Sequence, residues 1–140
     1  MTPDDVAKLQ YSFGQMVPKK DEIARVFYER LFEVAPGVRP LFKNSIEEQG
    51  QKLVMALRQI VLSLKQPDEL TSFLKGLGER HVGYGAVAAH YDVVGGVLLW
   101  TFENVMGDDF TPELKELWGG AYGVISAAMQ EAAAELTPAE

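Results

Sequence analysis

The sequence predicts an all-α domain, and three observations carry that prediction. Apolar residues recur with a helical period in almost every segment, three segments open on proline-containing capping sequences, and no stretch alternates apolar with polar residues as a half-buried strand would. A chain of 140 residues with 47 % hydrophobic content suits one compact domain over 1–140 with a sizeable core. Neither an internal repeat nor a low-complexity tract divides it.

The helices follow in order. Thr2-Pro3 with Asp5 gives an N-cap, a proline at the first helical position and an acidic first turn, opening a helix that ends near Pro18. From Asp21 to Val34, the residues Ile23, Phe27, Leu31 and Val34 share a stripe flanked by Ala24, Tyr28 and Phe32. Glu22, Arg25, Glu29 and Glu33 lie opposite, so Tyr28 faces inward. The segment "APGVRPLFKN" carries Pro36 and Pro40 and holds only a short turn and a loop, yet it presents Leu41 and Phe42, which should be pinned under something. From Ile46 to Leu64 the stripe is Leu53, Ala56, Leu57, Ile60, Val61 and Leu64, and one turn further back it reaches Gln49. Pro67-Asp68-Glu69 starts a helix with Leu70, Phe73, Leu74 and Leu77 on one face; the next position on that face is His81, after which Gly83 and Gly85 end the helix. Ala89 to Met106 carries Tyr91, Val94, Gly95, Leu98, Phe102 and Val105, with Gly95-Gly96 suited to a close helix crossing. Thr111-Pro112-Glu113 caps a last long helix with Leu114, Leu117, Trp118, Ala121, Ile125, Ala128 and Ala132 inward. Trp100 and Trp118 read as core, and His90 as a solvated residue at a helix start.

Composition narrows the chemistry. Twenty acidic against thirteen basic residues give a net charge of −7, which argues against nucleic acid or an anionic membrane as partner. The absence of cysteine removes disulfides, thiolate metal sites, thiol catalysis and covalent haem attachment. No apolar run approaches about 18 residues, and the acidic N-terminus lacks the basic and apolar regions of a signal peptide, so a soluble, cytoplasmic protein is expected.

His81 admits two readings. It is a histidine favoured at a helix C-terminus by the dipole, or a ligand presented at the end of an apolar stripe. As a ligand it stands alone, without the three or four protein donors that bare zinc or iron needs, whereas haem brings four donors of its own and asks for one imidazole. Tyr28 and Gln49 are similarly open: a tyrosine bonding a backbone carbonyl and a solvated glutamine, or two polar tips meeting a polar ligand among hydrocarbon. Leaving a buried hydroxyl or amide unpaired costs about 1–3 kcal/mol.

"FYERLFEVAPGVRPLF" (27–42), "RHVGYGAVAAHYDVVG" (80–95) and "WGGAYGVI" (118–125) resemble the second-helix-to-corner, proximal-histidine and last-helix segments of bacterial single-domain haemoglobins and of the haem domain of flavohaemoglobins. The resemblance extends over essentially the whole chain. It implies a globin fold, a three-over-three helical sandwich around non-covalent haem b, with His81 as the proximal iron ligand. On it, Phe42 is the corner phenylalanine stacked on the porphyrin, Tyr28 and Gln49 are the distal tyrosine and glutamine, and Leu53 closes over the iron. Gln51 is the rival to Gln49 but lies roughly 200° round the helix, and the face fixed by Leu53 and Leu57 selects Gln49. Leu57, Leu77, Val87, Val94, Leu98 and Ile125 complete the pocket. Tyr91 matches the tyrosine beside the proximal histidine, which in the family helps pass the imidazole N–H to a glutamate on the last helix. Here that position is Ala133, with Glu131 and Glu135 two residues to either side, so the His81 N–H is expected on backbone carbonyls near Leu77.

A gas on reduced haem gathers partial negative charge, and donors such as Tyr28 and Gln49 stabilise it by roughly 1.5–3 kcal/mol each. The expectation is therefore tight, reversible O₂ binding for storage, delivery or buffering, with NO and CO as further ligands. The alternative is nitric oxide dioxygenation. Because no Gly-x-Gly-x-x-Gly fingerprint occurs in these residues, that reaction is expected to use a separate NAD(P)H-dependent reductase. A gas-sensor role is disfavoured for want of an output domain, and a monomer or homodimer is expected.

Overall fold

The computed structural model describes residues 2–42, 45–83 and 88–136. Among them are six α-helices and no strand: α1 Pro3–Met16, α2 Lys20–Val34, α3 Ile46–Leu62, α4 Pro67–Gly83, α5 Ala88–Met106 and α6 Pro112–Leu136. Short 3₁₀ turns at Val17–Lys19, Pro36–Leu41 and Gly107–Asp109 bridge them where proline or glycine interrupts the helical run.

The caps at Thr2 and Thr111 form as the sequence directs. Thr2 accepts from the Asp5 amide while the Asp5 carboxylate accepts from the Thr2 amide, both at 3.1 Å, a reciprocal capping box. Ser45 accepts from the Glu48 amide to start α3, and Thr111 accepts from the Leu114 amide to start α6. α3 stops at Leu62, two residues short of the end its apolar stripe implies. The amide of Ser63, which is buried, still bonds back to Gln59 and Ile60, so Leu64 joins the core from the following turn.

α2 packs on α3 and α5, and α6 packs on α4, α5 and α1. The result is two layers, α1, α3 and α4 over α2, α5 and α6, the three-over-three arrangement that the resemblance implies. Trp118 is core at the α1–α6 contact, its indole N–H donating to Ser12 Oγ at 3.1 Å. Trp100 is not: it lies on the outside of α5, 37 % exposed, with the Arg30 guanidinium 4.6 Å above its ring. The same helix buries Val97, Thr101 and Met106 beside the expected stripe, so α5 is enclosed over more of its circumference than one stripe supplies. His90 is half-buried rather than solvated, because α5 enters the fold within its first turn.

Close helix crossings position the rest. A Cβ at Gly78 of α4 would stand 2.5 Å from the Met129 carbonyl oxygen of α6, and one at Gly50 of α3 would stand 2.7 Å from the Cβ of Ala24 in α2. Real carbon contacts do not come so near, and only a residue without a side chain permits these approaches. Gly78→Ala is expected to destabilise the fold by about 1–3 kcal/mol through overpacking against a backbone that cannot retreat. Gly96→Ala, where nothing lies within 4 Å, is expected to stabilise it by about 0.5–1 kcal/mol. Urea unfolding of both variants beside the parent checks the opposite signs.

Candidate functional site

The apolar interior divides in two. The larger cluster runs through α1, α2, α3, α5 and the first half of α6. Its buried members include Phe27, Tyr28, Leu31, Leu98 and Phe102, with Phe42, Leu53, Leu57 and Val94 packed against it. The smaller one holds Ile60, Leu74, Tyr91 and Met129, with Leu77 and Ile125 at its edge. α3 lies on α2 and α4 lies on α6, and the two touch each other only slightly. Leu53, Leu57, Leu77, Val94 and Ile125 keep intermediate exposure although all sit on inward stripes. Apolar residues on inward stripes that are still half-exposed have the character expected of residues that would line a slot for a flat apolar group. Of the residues expected to line a pocket, Phe42, Leu53, Leu57, Val94 and Leu98 belong to the larger cluster and Leu77, Tyr91 and Ile125 to the smaller; Val87 lies outside the described residues.

On one wall, Phe42 follows the Pro36–Leu41 turn and stands edge-on to Tyr28 and Phe32, with ring centroids 5.5 and 5.4 Å away. Tyr28 is 5 % exposed, also edge-on to Phe27 at 4.9 Å. Its hydroxyl donates to the backbone carbonyl of Gln49 at 3.2 Å. Sequence reasoning paired these two residues through their side chains; the structure brings them together through the main chain of one of them. Burial holds the phenol up at about 12, so it keeps its proton at neutral pH and remains a donor. Gln49 itself is half-buried in the first turn of α3, whereas Gln51 is exposed, in keeping with the face chosen from Leu53 and Leu57.

On the other wall, His81 is half-buried near the end of α4. Its Nδ1 lies 2.7 Å from the Leu77 carbonyl oxygen, and because a carbonyl only accepts, Nδ1 carries the proton and Nε2 the lone pair. In that tautomer Nε2 is the ring atom that would bind a metal. Desolvation lowers the imidazole's proton affinity below its ordinary value, ahead of the opposing effect of the Leu77 bond. The Tyr91 ring is tilted 34° to the imidazole with centroids 6.4 Å apart. Tyr91 is held in turn by Tyr122, which donates to its carbonyl at 2.6 Å and lies with its ring against Gly95. Glu131 and Glu135 are both exposed, and the position between them is an alanine.

Gly50, Gly78 and Tyr122 were not singled out as positioning residues by the sequence. Two are glycines inside helical runs, a signal of close approach that gives no partner; Tyr122 entered only as part of the last-helix segment 118–125. No group of three or more His, Asp or Glu side chains able to hold a metal ion occurs among the described residues, so a bare ion has no cage here. One imidazole of the right tautomer beside an apolar slot fits a haem, whose iron needs one protein ligand.

The globin family profile matches residues 25–129. Curated relatives include the flavohemoproteins of Rhodopirellula baltica, 33 % identical over 109 residues, or 76 % of this chain and 27 % of the relative, and of Rhizobium meliloti, 31 % identical over 104 residues, 72 % of this chain and 26 % of the relative. The chain thus spans about a quarter of these relatives' length. Among solved structures, a bacterial globin from Campylobacter jejuni superposes with a TM-score of 0.85 at 23 % identity, covering 99 % of this chain and all of that one. An engineered carbene transferase from Rhodothermus marinus, described as a "putative nitric oxide dioxygenase", superposes with a TM-score of 0.87 at 25 % identity, covering 98 % of this chain and 96 % of that one.

Removing the Tyr122 hydroxyl tests the support behind Tyr91. Tyr122→Phe is expected to lower stability by about 0.5–1.5 kcal/mol, the worth of one buried neutral hydrogen bond, as read by thermal unfolding.

Proposed function

The chain belongs to the globin family, and on that premise we propose that it binds one haem b between α3 and α4, with His81 as proximal ligand, and holds O₂ reversibly and tightly. The observation that carries this reading is the buried Tyr28 hydroxyl, a protonated donor bonded to the Gln49 backbone in the first turn of α3. Haem, when bound, supplies an iron site for a diatomic gas and leaves partial negative charge on that gas. Tyr28 answers the charge with its phenolic proton, and Gln49 adds its side-chain amide from the same rim. Phe42, Leu53, Leu57, Val94 and Leu98 keep the slot dry, which strengthens both interactions, while Leu77 and Ile125 line the proximal wall.

A phenol has one proton to give. Tyr28 exchanges its bond to the Gln49 carbonyl for a bond to the gas, giving up about 0.5–1.5 kcal/mol to gain about 1.5–3 kcal/mol. Taking the middle of each range, the net is about 1.25 kcal/mol, or roughly tenfold in O₂ release. The same ligand set accommodates NO and CO.

The second reading is nitric oxide dioxygenation, favoured by the naming of the relatives as flavohemoproteins and by the Rhodothermus neighbour. It needs an NAD(P)H-dependent reductase as electron donor. On the proximal side the His81 N–H meets a neutral carbonyl, which makes the imidazole a weaker electron donor than a carboxylate partner would. That favours retention of O₂ over cleavage of its bond.

Protein supplied with haemin is expected to show a Soret band with a histidine-ligated spectrum, and His81→Ala to abolish that spectrum. Tyr28→Phe is expected to speed O₂ release by about tenfold in stopped flow. Because the phenol stays protonated up to about 12, its contribution to release is expected to be flat between about pH 6 and 9. Catalytic nitrate formation with NADH and a reductase supports the enzyme; one stoichiometric burst supports the carrier.

A further inference from the structure

We propose that the α2–α3 crossing at Ala24 and Gly50 is a positioning device that sets how firmly Tyr28 is held on the Gln49 carbonyl, and thereby how readily its proton passes to a bound gas. The inference rests on the distal role proposed above for Tyr28.

The crossing and the hydrogen bond are one structure. Tyr28 lies four residues after Ala24 on α2, hence directly along the same face, and both are buried. Gln49 immediately precedes Gly50, the buried residue of the first turns of α3. The contact of 24 with 50 and the bond of 28 with 49 are therefore neighbouring rungs of a single helix interface. At the first rung the space is closed: a Cβ on Gly50 would lie 2.7 Å from the Ala24 Cβ. Ordinary contact begins at 3.4 Å, so a methyl there drives the helices apart by about 0.7 Å, the difference of those two distances. The second rung has no such slack. The Tyr28 bond is already 3.2 Å, and 3.2 plus 0.7 gives about 3.9 Å, beyond hydrogen-bonding range.

A tyrosine parted from its carbonyl keeps its proton for the gas. The competing bond is of the ordinary neutral kind, so its loss converts to a two- to tenfold change. The opposite substitution works in the other direction: without the Ala24 methyl the helices close, the bond to Gln49 shortens, and Tyr28 gives less to the gas. Ala24 and Gly50 touch neither the gas nor the iron in this account; they act through Tyr28.

The test uses the haem-loaded protein. Gly50→Ala is expected to slow O₂ release about two- to tenfold and to lower the C–O stretching frequency of the carbonmonoxy form, since a donor aimed at the CO oxygen weakens that bond. Ala24→Gly, which introduces no clash and keeps the test open where Gly50→Ala fails to fold, is expected to speed O₂ release and raise the frequency. The paired exchange Ala24→Gly with Gly50→Ala restores one methyl at the crossing and is expected to return both readouts towards the parent. All shifts are expected to vanish in the Tyr28→Phe background. Shifts that persist in that background overturn the proposal, because the crossing then acts through pocket shape alone. Tyr28→Phe altering release while neither crossing variant does so overturns it and leaves the distal role standing; no effect of Tyr28→Phe itself overturns the distal role and the proposal with it.

Discussion

The interior of a helical domain this size ordinarily closes into one apolar mass, and the rest of this structure depends on its not doing so. Two clusters, one around Tyr28, Leu98 and Phe102 and the other around Leu74, Tyr91 and Met129, are kept apart because α3 and α4 are each fastened elsewhere. Gly50 draws α3 onto α2, and Gly78 draws α4 onto α6. With both helices committed outward, they meet only slightly, where Ile60 of α3 joins the cluster of Leu74 on α4. The half-exposed leucines, valine and isoleucine between them forgo part of their burial, at about 25 cal/mol for each Å² left in contact with water. A flat apolar ligand recovers that burial, so occupancy of the slot and stability of the fold are linked.

Much of this was legible along the chain. Capping sequences at Thr2 and Thr111 act locally, and the helices they start are where their patterns place them. Inward stripes put Tyr28, Leu53, Leu77 and His81 on faces that are buried or half-buried, because helical period alone decides which residues share a face. What the chain does not show is how near two faces come. Gly96 and Gly95 read alike, yet one is exposed and the other lies under the Tyr122 ring; the difference belongs to the neighbouring helix. Trp100 failed for a related reason. A large aromatic reads as core, but a cation stacked from Arg30 lets it stay outside.

The Tyr28 hydroxyl marks the boundary between the two kinds of information. A buried phenol needs an acceptor, and that much follows from composition and period. Which acceptor it finds depends on the backbone of α3 lying one hydrogen bond away, and so on a glycine that carries no chemistry of its own. Residue identities name the participants of a site like this; the helix crossings decide which of their atoms meet.

The two walls of the slot are unequal in strength, and the inequality has a consequence for reactivity. On the distal wall a phenol held protonated by burial is poised to donate to developing negative charge. On the proximal wall the His81 N–H is spent on the Leu77 carbonyl, a neutral acceptor supplied by the same helix one turn earlier, while Glu131 and Glu135 face solvent. Breaking an O–O bond calls for electron density pushed from the proximal side as well as a proton offered from the distal side. On the proposed reading, a strong distal offer and a weak proximal push would stabilise the intact gas more than any state in which that bond has begun to part. The feature that would tip the chain towards holding oxygen is then a backbone carbonyl, fixed in place by the helix geometry that also fixes the histidine.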